Sequence, residues 1–253
     1  MFYILIVGSI VSLLGTMIGA SLGVAVKKPS NKLLGFIIGF AGGIMLSVVV
    51  FDLIPEAIGK WSFLPTIVFV ILGVIIIAIV DDNGSENDEK RILYSAIDEK
   101  ININNSNRHI KAAFMASLGL MLHNFPEGII VGCGFAAGST LGIKMSIIIT
   151  IHDIPEGIAV AAPLMASKVK ISKILFYAFI TAFPTAIGTF IGAYIANIST
   201  GILNICISMA SGIMLYVICG EMIPESSKLW EGITSTLGTL SGIILGLVIV
   251  QVL

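Results

Sequence analysis

The sequence predicts an all-α polytopic membrane protein: eight transmembrane helices, with an inverted repeat (spans 1–3 and 6–8) around a central pair (spans 4–5). Three observations predict it. The 253 residues are 57% hydrophobic and only 11% charged, with a mean hydropathy of +1.05, which leaves too little polar surface for a soluble globule of this length. The apolar residues fall into eight runs, each close to the roughly 20 residues a helix needs to cross about 30 Å of hydrocarbon. A pattern of one ionisable residue, two others and Pro-Glu recurs four times within or at the ends of these runs.

The runs cover residues 2–26, 33–57, 62–80, 111–133, 142–166, 172–196, 201–223 and 233–253. No basic residue precedes the first run, and Lys27 and Lys28 follow it. It therefore reads as a span inserted N-terminus outward rather than as a cleaved signal peptide. Lys27, Lys28 and Lys32 follow span 1, and Lys90, Arg91, Lys100, Arg108 and Lys111 follow span 3. Lys168, Lys170 and Lys173 follow span 5, and Lys228 follows span 7. The alternate loops hold only Lys60 and Lys144. Because Lys and Arg concentrate on the cytoplasmic side, this distribution predicts a multi-pass protein of the cell membrane with both termini outside. The whole chain, 1–253, reads as one transmembrane domain. Residues 81–110, rich in Asp, Glu, Asn and Ser, read as a flexible cytoplasmic loop within it. A net charge of -1 gives no sign of nucleic-acid binding, so the expected partners are the lipid bilayer and small cations. Cys133, Cys206 and Cys219 are odd in number, lack CxxC spacing and sit in apolar surroundings, which makes them small core hydrophobes.

The repeat is visible in two matching stretches. Gly43-Ile44-Met45-Leu46-Ser47 leads to Asp52-x-x-Pro55-Glu56, and Gly212-Ile213-Met214-Leu215-Tyr216 leads to Glu221-x-x-Pro224-Glu225 with the same spacing. Span 2 runs outward and span 7 inward, so similar sequences run in opposite directions, as in alternating-access transporters. Asp52 and Glu56 then lie at the outer mouth and Glu221 and Glu225 at the inner one. There they either line a cation pathway or end their helices at the interface. The rows Gly15, Gly19, Gly23 and Gly238, Gly242, Gly246 predict close helix packing, inside the protomer or across a homodimer.

Spans 4 and 5 carry the chemistry, in His123-Asn124-Phe125-Pro126-Glu127-Gly128 and His152-Asp153-Ile154-Pro155-Glu156-Gly157. In each, the His and Glu are i,i+4 neighbours on one helix face, while Asn124 and Asp153 point about 100° away and build an adjacent position. At about 1.5 Å per residue, His123 lies roughly 18 Å beyond Lys111 and His152 roughly 12 Å beyond Lys144, so both signatures reach similar depth. Burying Glu127, Asp153 and Glu156 there costs roughly 2.5–3.5 kcal/mol each, and a bound divalent cation is the simplest compensation. Pro126 and Pro155 lack an amide hydrogen and free the carbonyls of Leu122 and Ile151 beside the ligands. Imidazole with carboxylate and no thiolate suits zinc, and also iron, manganese, cobalt or cadmium. Met45, seven residues before Asp52, reads as core filling or as a thioether ligand.

At these residues the chain resembles the ZIP family of divalent metal transporters, in particular its short prokaryotic members, and the resemblance runs over the full length. It implies transport of zinc, and also of iron, manganese or cadmium, toward the cytoplasm. The metal is then a transported substrate, and the protein is not an enzyme. It further implies a primary metal site from His123, Glu127, His152 and Glu156, joined by Met45, with Asn124 and Asp153 shaping a second site. Family members with a two-metal centre carry a glutamate before a proline in span 6, where this chain has Phe183 before Pro184, so the bridging carboxylate is missing. The rival readings are an intramembrane metal-dependent hydrolase and a proton-conducting channel. Against the first, there is no HExxH motif and no carboxylate left over as an obvious general base.

Overall fold

The computed structural model describes residues 2–26, 30–84, 124–166, 169–196, 198–230 and 232–252. Among them all regular structure is helical, without a strand. The helices are α1 (Phe2–Val26), α2 (Asn31–Lys60), α3 (Phe63–Gly84), α4 (124–137), α5 (Ser139–Ala166), α6 (Ile171–Ala196), α7 (Thr200–Leu229) and α8 (Ile233–Val252). Of these, α2, α6, α7 and α8 are long and apolar enough to cross a membrane, and Leu13–Val26 and Phe63–Ile79 are shorter apolar stretches. The first four residues of the predicted loop 81–110 are helical, because α3 carries Asp81 and Asp82 and ends at Gly84. The rest of that loop and His123 lie outside the described residues.

Local chemistry sets the helix ends. Ser30 accepts from the Leu33 amide at the start of α2, and Ser199 accepts from the Ile202 amide at the start of α7, each at 3.2 Å. Each serine satisfies an amide that has no partner within its helix. Trp61 and Trp230 close the same two helices. Between α4 and α5 the chain turns at Gly138, whose φ of 154° suits a residue without Cβ.

The first and fourth Pro-Glu motifs do not terminate their helices. Instead α2 widens into a π turn over Val49–Leu53 and continues to Lys60, and α7 does the same over Ile218–Met222 and continues to Leu229. Pro55 and Pro224 bring no N–H, and their rings collide with the carbonyl four residues back. A wider turn absorbs both defects: the Ile54 amide reaches back to Val49 O and the Ile223 amide to Ile218 O. Of the two readings of Asp52 and Glu221, helix termination is set aside, since both sit inside continuous helices.

Packing follows the glycines. A Cβ added at Gly43 of α2 would strike the Thr239 carbonyl of α8, and one at Gly212 of α7 would strike the Val70 carbonyl of α3. Likewise Gly242 of α8 abuts Phe40 O, and Gly73 of α3 abuts Met209 O. Every member of the second half is displaced from its counterpart by one constant offset, the one separating Ser30 from Ser199. The central helices pair in the same way: Gly157 of α5 lies on the Thr16 carbonyl of α1, and Gly128 of α4 on the Thr185 carbonyl of α6. Both predicted glycine rows are thus used inside the protomer, Gly15, Gly19 and Gly23 against α5, and Gly238, Gly242 and Gly246 against α2.

The outer surface is apolar and the interior holds the small polar groups. Ile10, Leu14, Ile18 and Leu22 form an exposed stripe on α1, and Phe176, Phe179, Phe183, Ile187 and Phe190 form one on α6. Inside, Ser47 donates to Ile243 O at 2.8 Å and Ser226 to Gly35 O at 2.6 Å, each joining two helices. Where lipid and core are equally apolar, hydrophobicity does not hold helices together, and close backbone approach with interhelical hydrogen bonds takes its place. The central packing unit gathers Ile44, Met45, Ile148, Ile149, Met214 and Ile218 from α2, α5 and α7. Of the free cysteines, Cys133 lies in this core and points at Gly192 O, 3.7 Å away.

Candidate metal centre

Helix α5 runs unbroken through Pro155, so His152 and Glu156 stay one turn apart on one face. Both are buried, as is Glu127 on the neighbouring α4. His152 Nε2 lies 3.1 Å from Glu156 Oε1 and 3.1 Å from Glu127 Oε1. One ligand atom from each of the three residues falls within 4.8 Å of the other two.

The other imidazole nitrogen fixes the chemistry of the first. His152 Nδ1 is 3.3 Å from the Ala41 carbonyl of α2. A carbonyl only accepts, so Nδ1 carries hydrogen and donates. Nε2 then faces two carboxylate oxygens, an arrangement suited either to a proton on Nε2 or, in the neutral ring, to a metal cation among the three atoms. This use of a backbone carbonyl to orient a ligating imidazole is the usual support for a metal-binding histidine. The dimensions also suit a cation: bonds of about 2.0–2.2 Å at tetrahedral angles separate ligand atoms by roughly 3.3–3.5 Å, only slightly wider than the distances here.

The remaining predicted residues divide. Met45 is buried on α2 one turn beyond Ala41, on the face that meets His152. Asn124 is buried, and its Nδ2 donates to Thr181 O of α6 at 2.7 Å. Its Oδ1 has no hydrogen-bond partner among the described residues. Asp153 is fully buried but turns toward α1, where its Cβ faces Gly15, and it is not among the three converging residues. Phe183 is half exposed on α6 and supplies no ligand. Farther out, Asp52 Oδ1 is 3.1 Å from Lys144 Nζ, and Glu56 pairs with Lys60 at 2.8 Å. Glu221 follows Asp52's placement in the π turn of α7, with Glu225 four residues on.

Sequence reasoning missed three contributors: the Ala41 carbonyl, the Thr181 carbonyl and Lys144. Backbone carbonyls leave no residue-type signal. Lys144 did leave one, since it is a lone charge in an apolar run eight residues before His152.

An apolar exterior around buried hydroxyls, with a carboxylate–imidazole cluster shared by two central helices, defines a helical membrane protein of the ion-handling class. Residues 82–250 match the family described as ZIP Zinc transporter. Proteins named Zinc transporter ZupT from Salmonella paratyphi A, Salmonella newport (strain SL254) and Salmonella paratyphi C (strain RKS4594) are each 30% identical to this chain over 243 residues. The match covers 93% of this chain and 91% of theirs. The chain belongs to the ZIP zinc transporter family. This is a family of transporters rather than enzymes, so zinc stands to it as substrate and not as a catalytic cofactor.

Proposed function

We propose that this protein carries zinc across the membrane into the cytoplasm through a site built from Glu127, His152 and Glu156, completed by His123 and bordered by Met45, Asn124 and Asp153. The observation that carries the reading is the convergence of two buried carboxylates on one buried imidazole nitrogen. In this reading 1–253 is one domain of eight spans with both termini outside and the 81–110 region in the cytoplasm, as the Lys and Arg distribution indicates. The contacts repeated at one constant offset support an inverted repeat of α1–α3 and α6–α8 around α4 and α5. Zinc comes in past Asp52 and Glu56, binds between α4 and α5, and leaves past Glu221 and Glu225. Iron, manganese and cadmium compete for the same oxygen and nitrogen ligands.

Proteoliposomes loaded with a zinc-responsive dye test this. Wild-type protein is expected to show saturable zinc uptake and His152→Ala to show none; equal rates would sink the site assignment. Protons compete with metal for the same lone pairs, so zinc affinity in equilibrium dialysis is expected to fall on acidification, by about tenfold per pH unit for each proton displaced. A pH-independent affinity between neutral and mildly acidic buffer contradicts an imidazole–carboxylate site.

A further inference from the structure

The helix-end contacts around Lys144 go beyond the cluster itself. Its ammonium, in the second turn of α5, lies 3.1 Å from Asp52 Oδ1 in the π turn of α2 and 3.0 Å from the Val250 carbonyl in the last turn of α8. The lysine and aspartate side chains are only 12% and 15% exposed. Asp52 Oδ2 is buried and has no hydrogen-bond partner among the described residues. Among the described residues the carboxylate is therefore half used: one oxygen is held by a tethered cation and the other pairs with nothing. The offset that relates Phe125 of α4 to Ile154 of α5 places Met115, not a second lysine, where Lys144 would repeat.

We propose that Lys144 is a specificity-determining residue, an internal counter-cation that occupies Asp52 until a divalent metal ion displaces it. This rests on the reading of the chain as a zinc transporter with Asp52 at its mouth. The ammonium is covalently held beside the carboxylate and carries a single charge. A weakly binding, strongly hydrated ion such as magnesium does not dislodge it. An ion that binds imidazole and carboxylate strongly does, and Asp52 then passes it inward to Glu127, His152 and Glu156. Lys144 on this account sets KM and ionic selectivity and leaves the maximal rate at the cluster largely alone.

Zinc uptake into proteoliposomes tests it, with KM and maximal rate measured separately, with and without millimolar magnesium. Lys144→Gln is expected to lower KM for zinc about fivefold, the scale of one partly exposed ion pair, and to make uptake sensitive to magnesium, while Lys144→Arg keeps the wild-type KM. In an Asp52→Asn background, Lys144→Gln is expected to change nothing further. Asp52→Asn alone is expected to raise KM, which keeps the test open if the Lys144 variants do not fold. A Lys144→Gln protein with wild-type KM and magnesium insensitivity, or an Asp52→Asn protein with wild-type KM, overturns the proposal and leaves Lys144 as a strut between α2, α5 and α8. No saturable uptake by wild-type protein overturns the transport reading instead.

Discussion

Glu127→Gln is expected to weaken zinc binding by a factor on the order of 10²–10⁴ while leaving the metal-free protein as stable as wild type or slightly more so. The substitution keeps the shape of the side chain and removes its charge. Losing one charged partner of a buried pair is worth about 3–5 kcal/mol, which is the stated factor when expressed as affinity. The effect on stability has the opposite sign because the metal-free cluster sets two carboxylates against one imidazole, with both oxygens 3.1 Å from the same nitrogen. Neutralising one of them relieves a like-charge contact in a site where water does not screen it. Calorimetric zinc titration and thermal melting of the detergent-solubilised protein separate the alternatives. A lower melting temperature with unchanged zinc affinity marks a structural ion pair, and the transport site then lies elsewhere.

That cluster was half legible in the sequence. His152 and Glu156 are i,i+4 neighbours on a long apolar run, so their shared face follows from helix geometry alone. The meeting of Glu127 with His152 does not follow, because it depends on how α4 and α5 are rotated about their own axes. No spacing within one helix fixes that rotation. The glycines do, since Gly128 must face Thr185 O and Gly157 must face Thr16 O, which turns the His and Glu faces inward toward each other. The same holds for the helix ends at Asp52 and Glu221. Composition located apolar helices, and the sequence left open whether they end at these residues, where the backbone takes one π turn and goes on. Whether a proline ends or only widens a helix depends on what packs beyond it. In α2 and α7 the residues after the proline, Ala57 and Ser226, are buried, so continuing the helix gains contact.

Gly157→Leu is expected to abolish folding, and Gly157→Ala to lower stability by about 1–3 kcal/mol, the range for an overpacked core. A Cβ at this position runs into the Thr16 carbonyl, with Ala20 N at 2.6 Å and Gly19 Cα at 2.9 Å behind it. All three are backbone atoms, so no side-chain rotation makes room, and α1 must move off α5 as a body. Retreat is hindered because α1 also packs on α6. Gly59→Ala is the matched control, since nothing lies within 4 Å of a Cβ there, and alanine is the better residue in a helix. Melting followed by the fluorescence of Trp61 and Trp230 should show Gly157→Ala well below wild type and Gly59→Ala at or above it; equal midpoints would mean that the α1–α5 contact yields easily. Because Glu156 is the adjacent residue, the displacement reaches the cluster as well. Gly157→Ala is therefore expected to lose zinc affinity although it changes no ligand. In this protein the glycine that lets two backbones touch also sets where the carboxylate beside it points, so the site's precision rests on a residue that contributes no chemistry of its own.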